Sequence, residues 1–476
     1  MQKTVSLAVA VLLFGAAAVP AAHAESLEEA LAAAYLNNPT LRAQRAAVRA
    51  VDESVPQALS GWRPTVTLNG SAGLADTTSR VASVSRDQDL TTRSYDLTVT
   101  QPLFRGFRTE AAVDRAQNSV RAAQAGLQAT EQDVLLAAAV AYLDVIEAQA
   151  VVELTTNNVQ VLERQLEATR DRFRVGEVTR TDVAQAEARV AGAVADRIAA
   201  ESDLQARRAT YERVVGAVPG EVQNPAEVGN LPDSLEEAVR LAITSAPGVV
   251  SQQYTADAAV DGIREVRGEL LPSVNLRASY GEDWERTQED SSTETASVVV
   301  QATVPLYQAG AVYSRLREQK HRAGQSRIQV DEARFEAREA AVQAWENLAA
   351  ARASIESLSA QVEAANIALE GVQREAQVGA RTVLDVLDQE QELLNARVSL
   401  VRAQRNSYVA GYQLLAAVGR MTVGSLGLPV ETYDPDAHYL DVRNQWFGSS
   451  QWADDDAELA RTGTEKGGAM GVKLGE

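Results

Sequence analysis

Two stretches of this sequence, Arg108 to about Arg174 and about Ala311 to Val378, contain no proline and repeat apolar residues at spacings of three and four. In the first, Leu127, Val134, Ala138, Tyr142, Val145 and Val152 fall on one helical stripe. Each stretch predicts a helix of roughly 65 residues, or ~100 Å at 1.5 Å per residue. A compact soluble domain has no use for such a rod, so the chain must build something elongated. Alanine holds many seam positions, which favours close helix packing of the coiled-coil kind. Composition agrees, with aromatics at only 5% while Ala, Val, Leu, Glu, Gln and Arg dominate.

The two rods belong to a chain written twice. "ESLEEALAAAYLNNP" at 25–39 returns as "DSLEEAVRLAITSAP" at 233–247, a shift of 208, and "WRPTVTLNGS" falls on "LLPSVNLRAS" at the same shift. Further on the shift is 203: "QPLF" meets "VPLY", Tyr142 meets Trp345, "VGEVTRTDV" at 175–183 meets "VGARTVLDV" at 378–386, and Gly216 meets Gly419. The lost residues fall in the polar stretch "LADTTSRVASVSRDQDLTTRS", which reads as a loop. The predicted organisation is a first repeat over 25–220, a linker over 221–232, a second repeat over 233–420, and a C-terminal segment over 421–447 packed on the helices. A polar, disordered tail is expected over 448–476.

Each repeat has a helix, two strands, a long helix, a tight break and a second helix. Ser26 with Glu29, and Ser234 with Glu237, predict capping boxes that open the first helices. "PTVTLNGSAG", "SYDLTVTQPLF", "PSVNLRASYG" and "ASVVVQATVPLY" alternate apolar and polar residues and carry prolines at their ends, where a sheet tolerates them. Four strands of roughly ten residues have the length a tilted strand needs to cross a bilayer. An open four-stranded sheet would leave edge N–H and C=O groups in hydrocarbon, so several chains must close one barrel. Two chains give eight strands and a filled interior, whereas three give twelve and room for a passage.

Residues 1–24 show Lys3, an apolar run from Val5 to Val19 and the small-x-small end Ala22, His23, Ala24, which reads as a secretory signal cleaved before Glu25. The sequence contains no cysteine, so disulfides, thiolate metal sites and an N-terminal lipid acceptor are excluded. The formal charge of −20 argues against a nucleic-acid partner, which needs clustered Lys and Arg. His23, His321 and His438 form no metal-ligand cluster, and no serine elbow or phosphate loop is present. Neither an enzyme nor a cofactor site is expected. In "DAHYLDVRNQWFG" at 436–448, the aromatics are expected to pack against the helices.

The order and doubling of "SLEEA", "QPLF" and "VPLY", together with "RFRVGEVTRTDV", "VGARTVLDVLD" and the closing "LPVETYDPDAHY", resemble the TolC-type outer-membrane channel proteins over nearly the whole mature chain. The resemblance implies a mainly α protein: long antiparallel hairpins forming an α-barrel, and four strands contributed to a trimeric twelve-stranded membrane β-barrel. It also implies an outer-membrane location extending into the periplasm, and service as the passive exit duct of tripartite efflux or type I secretion. Its partners would be a periplasmic adaptor and an inner-membrane transporter. The missing N-terminal cysteine favours the non-lipidated branch of the family.

Comparing the halves separates turn chemistry from the rest. Gly176 and Gly379 suit the position just past a helix end, while Thr179 with Asp182, and Thr382 with Asp385, read as capping boxes. Arg381 and Asp388 have Val178 and Gln185 as counterparts, so the turn alone does not require them. Asp385 and Asp388 share a helix face, and in a trimer whose second helices approach the axis they would form two carboxylate rings lining a constriction. The resemblance ties Arg381 to Thr181 and Asp182 on a neighbouring hairpin as a closing latch, and places Ala376 where the family pattern has a tyrosine. Geometry and resemblance together make the tips, Val175, Gly176, Glu177, Val378, Gly379 and Ala380, the adaptor contacts. Two other readings compete. A periplasmic adaptor would carry one hairpin rather than two, and a soluble coiled-coil scaffold would leave the strands unexplained.

Overall fold

The computed structural model describes residues 25–81 and 84–448. The expected signal at 1–24 and the tail from 449 on lie outside these residues.

Each repeat opens with helices joined at a proline. In the first, α1 (Leu27–Asn37), α2 (Pro39–Asp52) and α3 (Ser54–Leu59) follow one another. The Asn38 side chain accepts from the Thr40 and Leu41 amides and Pro39 occupies the first turn of α2, so the chain bends and restarts without stranded donors. The Ser26–Glu29 box is complete, with amide contacts of 3.0 and 3.2 Å. The strands β1 (Thr65–Val81) and β2 (Val84–Phe104) come next, then α4 (Arg108–Arg174) and α5 (Arg180–Val215). The second repeat runs α6 (Leu235–Ser245), α7 (Pro247–Gly268), β3 (Ser273–Trp284), β4 (Ser292–Thr303), α8 (Ala311–Gln377) and α9 (Val383–Ala417). Two short helices, α10 (Val423–Leu426) and α11 (Pro435–Val442), complete the described chain. Both rods are continuous helices of 67 residues.

The strands depart from expectation in two places. The polar stretch after Gly73 is not a loop: β1 and β2 stay paired from Leu74 with Thr91 to Val81 with Val84. Its threonines and alternating polar residues suit a solvated antiparallel ribbon, so the extra residues of the first repeat lengthen a hairpin. In the second repeat β4 stops at Thr303, because Pro305 cannot donate to a ladder. Pro102 survives at the end of β2 beside a register shift.

The chain divides into two compact units. One combines α1 with Ala137–Val228 and Ala351–Val409; the other combines Asn38–Leu136, Gly229–Ala350 and the residues from Ala410 on.

In the first unit, α9 is a packing centre. Its Val383 and Leu387 join Val159, Leu162 and Leu166 of α4 and Ala186 and Ala193 of α5, while Val386 and Leu393 pack on Ala365 and Leu369 of α8. Asp144 of α4, only 12% exposed, receives Arg207 of α5 at 3.0 Å and Arg405 of α9 at 2.5 Å. The chain entry is clipped down as well. The Tyr142 hydroxyl lies 2.7 Å from the Glu25 carbonyl and 2.9 Å from that of Gln223, and Tyr211 donates to the Glu25 carboxylate.

One helix among the described residues, α4, contains a stretch long and apolar enough to cross a membrane by composition, and half of that stretch is buried. Its Ala138, Ala139, Tyr142 and Val145 are fully enclosed by protein.

In the second unit, Ala238 of α6, Ala344 and Leu348 of α8 and Leu414 and Val418 of the α9 end form one core. The C-terminal segment is seated by buried polar contacts. His438 Nδ1 lies 2.9 Å from Asp52 Oδ2 with both side chains nearly inaccessible, and Glu131 accepts from the Val423 amide at 3.0 Å. Tyr439 packs beside Val51 and Leu59. Trp446 and Phe447, by contrast, remain exposed.

Candidate functional site

Two places carry the arrangement from which a function can be read: the hairpin tips in the first unit and the sheet in the second.

At both tips the same backbone solution appears. The Gly176 amide donates to the Phe173 carbonyl at 3.0 Å and the Glu177 amide to that of Arg172 at 2.9 Å; Gly379 and Ala380 repeat this with Ala376 and Glu375 at 3.2 and 2.9 Å. These are the paired bonds that close a helix through a left-handed residue, and φ is 83° at Gly176 and 78° at Gly379. The following helices open with capping boxes. Asp182 accepts from the Thr179 amide at 2.8 Å, and Asp385 accepts from the Thr382 amide and hydroxyl at 2.9 and 2.8 Å. Those two bonds, strongest to the charged carboxylate, hold the Asp385 pKa below its ordinary range.

The residues that the turn does not require have acquired partners. Arg381 Nε donates to Glu375 at 3.0 Å, across its own turn, and this pairing raises the Arg381 pKa. Thr181 and Asp182 are not its partners within the chain. Asp388 accepts from Arg189 of α5 at 2.5 Å, which joins the second helices of the two hairpins. Two residues later on α9, Glu390 is held by Gln373 at 3.1 Å, and burial raises its pKa. Val175 and Val378 are 73% and 80% exposed, so each tip ends in a bare apolar side chain.

Sequence reasoning named neither Arg189 nor Glu375. Glu375 could have been found, because it lies six residues before Arg381 with a helix-closing glycine between them. Arg189 sits 199 residues from its partner, and only the packing of α5 against α9 brings them together.

The sheet has the order β1-β2-β3-β4, all antiparallel. Its register sorts the side chains onto two faces. Val66, Val99, Ala278 and Val298 lie abreast, and so do Leu68, Leu97, Tyr280 and Ala296. On the opposite face, Thr67, Thr98, Ser279 and Ser297 form one row and Asn69, Asp96, Gly281 and Thr295 another. The apolar face is bare: Leu68 is 71% and Val298 73% exposed. At one end of this face Tyr95 meets Tyr280 and Trp284 at ring separations of 6.3 and 5.6 Å. An apolar band edged by aromatics at one end and backed by a polar face has the pattern of a membrane β-barrel wall.

The sequence pattern of the outer membrane efflux protein family matches residues 30–217 and 238–420. The outer membrane efflux protein BepC of Brucella suis biovar 1 is 38% identical over 93% of this chain and 96% of its own length. The outer membrane protein TolC of Vibrio cholerae is 27% identical over 84% and 92%. The solved structure of the outer membrane protein VceC from Vibrio cholerae superposes with a TM-score of 0.72 at 21% identity, covering 83% of this chain and 96% of that one. The chain belongs to the outer membrane efflux protein family, the TolC-type channel proteins. Its location is the outer membrane, extending into the periplasm.

Proposed function

We propose that three copies of the chain close their sheets edge to edge into one twelve-stranded barrel, and that this barrel is the exit duct of an efflux or secretion assembly with a gate at the hairpin tips. The observation that carries the reading is a sheet with one apolar and one polar face whose outer strands, β1 and β4, each have a single neighbour among the described residues. Unpaired strand edges in hydrocarbon cost several kcal/mol per polar group, so β1 of one copy pairs with β4 of the next. Three copies give a barrel wide enough for the polar face to line a water-filled passage.

At the periplasmic end, Arg381 reaches Thr181 and Asp182 of a neighbouring hairpin and holds the tips together. Asp385 and Asp388 line the constriction. Ala376 supplies no hydroxyl, so closure rests on the arginine. The tips, with Val175, Gly176, Glu177, Val378, Gly379 and Ala380, receive the periplasmic adaptor, and the inner-membrane transporter selects the cargo. Exposed ion pairs contribute below ~1 kcal/mol each, so three copies make a latch that docking can undo.

Single-channel recording in planar bilayers tests the gate. Conductance rises in both Arg381→Ala and Asp182→Ala; unchanged conductance in both would falsify the latch. A heat-resistant trimer in outer-membrane extracts is expected, and recovery of only monomer overturns the closed barrel.

A further inference from the structure

The C-terminal segment ends in an unusual place for two large aromatic side chains. After α11 the chain turns, with the Gln445 amide donating to Val442 at 3.0 Å, and reaches the root of the sheet. There Arg63, which closes the short 3-10 turn Ser60–Trp62 just before β1, donates from Nη1 to the Gln445 carbonyl at 2.7 Å. The same guanidinium lies 4.8 Å from the centroid of the Trp446 ring. Arg63 thus fastens the segment to the base of β1, holding the Gln445 carbonyl by a hydrogen bond and the Trp446 ring by a cation–π contact. It is nevertheless 57% exposed, and Phe447 beside it is 87% exposed.

Other bare apolar groups surround this root. Trp62 and Leu103 are 37% and 49% exposed, and the Trp62 carbonyl is tied to Gln101 of β2 at 2.8 Å. Phe107, 56% exposed, stands edge-on to Phe104 at 5.1 Å. The apolar face of the sheet begins next to them at Val66. The far end of that face already carries Tyr95, Tyr280 and Trp284, and a second group of aromatics stands at the base of the sheet. Tryptophan favours the headgroup level of a bilayer because its ring is apolar and its N–H is not. An arginine held beside it offers a planar fork of donors to lipid phosphates.

We propose that Trp446 and Phe447, positioned by Arg63, insert into the phospholipid leaflet at the base of the barrel and anchor the C-terminal segment to the membrane surface. The occupant is lipid rather than protein, because Arg63 lies two residues before β1 and Trp62 is tied to β2, which puts the exposed pair at the base of the sheet read as the membrane wall. The inference rests on reading the sheet as the membrane wall. By this account the segment is held on both sides. Asp52 and His438 fix it to α2, and the aromatic pair fixes it to the bilayer.

The absence of cysteine makes the test direct. Full-length Phe447→Cys and Val298→Cys, each labelled with bimane, are reconstituted into phosphatidylethanolamine–phosphatidylglycerol vesicles that contain lipids spin-labelled at shallow or deep positions. Val298 reports the membrane wall and Phe447 reports the anchor. Quenching is expected at both positions, at Phe447 more strongly by the shallow label, and Phe447 quenching is lost on adding Arg63→Gln. Quenching at Val298 but not at Phe447 overturns the anchor alone. Absence of quenching at both overturns the wall and the anchor together. A photo-crosslinker at position 447 that captures a second copy of the chain instead of lipid also overturns the proposal.

Discussion

Asp388 on α9 accepts a hydrogen bond from the guanidinium of Arg189 on α5, so a carboxylate proposed for the constriction has a counter-charge within its own chain. The pair joins the second helices of the two hairpins just above the tips, beside the apolar contact of Leu387 with Val383 and Ala186. If the second hairpin swings away from the first on opening, Asp388 loses its partner and its charge faces the passage alone. Closing would mask that charge again. Arg189→Gln should therefore raise cation selectivity, read as a larger reversal potential under a salt gradient, without matching the conductance rise of Arg381→Ala. Both members of the pair are exposed, so thermal stability should change by less than ~1 kcal/mol. An unchanged reversal potential would show that Asp388 does not line the pore.

Asp385 supplies a pH signature. Its pKa is lowered by the Thr382 amide and hydroxyl, so the carboxylate stays ionised as pH falls through the ordinary range for aspartate. The stabilisation from this cap is present above the unfolded-state pKa and is lost only as pH falls through the depressed value. Thr382→Val removes one of the two bonds, and the acid loss of cation selectivity should then shift to higher pH. Coincident selectivity profiles for the variant and the parent would remove Asp385 from the constriction.

The buried pair at α2 makes a prediction of opposite sign. Burial raises the Asp52 pKa, and the hydrogen bond from His438 only partly offsets it. Asp52 Oδ1 already lacks a partner. Replacing His438 by Ala strips the other oxygen, which should destabilise the C-terminal segment by about 1–3 kcal/mol and expose it to protease sooner. A raised carboxylate pKa favours the folded state at pH below it and loses that advantage as pH rises through it. The His438→Ala defect should shrink on acidification and be smaller in Asp52→Leu/His438→Ala, which leaves no buried polar group without a partner at this site. Proteolysis that is equally fast at pH 5 and pH 8 would contradict this account.

Tyr142 and Tyr211 should hold the chain entry through alkaline treatment. Burial pushes the Tyr142 hydroxyl up to about 12 and Tyr211 upward as well, so both remain hydrogen-bond donors at pH 10. Tyr142→Phe should cost about 1 kcal/mol and speed hydrogen exchange at the Gln223 amide, which lies 3.1 Å from the hydroxyl. Exchange that stays as slow as in the parent would mean that the Glu25 and Gln223 contacts do not depend on this hydroxyl.

The rods, the tips and the sheet faces were legible in the sequence because each is a local pattern. Uninterrupted apolar spacing ran to the glycine at each tip, and α4 and α8 end just short of Gly176 and Gly379. Alternation predicted two sheet faces. It did not predict that β1 and β2 continue through the polar stretch, because a solvated ribbon has no apolar side to mark it. Periodicity also cannot say which long side chain crosses between helices. Arg189 looks like any exposed helical arginine until α5 and α9 are set side by side. The same holds for the C-terminal aromatics: nothing in their local pattern separates Tyr439, which packs on the Val55 cluster, from Trp446 and Phe447, which stay exposed beside Arg63.

The single-neighbour strands β1 and β4 also carry a genetic consequence. In the proposed ring, a lesion confined to either edge would leave the chain able to fold its hairpins and to enter assemblies with undamaged copies, yet one damaged seam would keep the ring from closing. Edge alleles should therefore behave as dominant in a merodiploid strain, whereas alleles that prevent the chain from folding at all should be recessive.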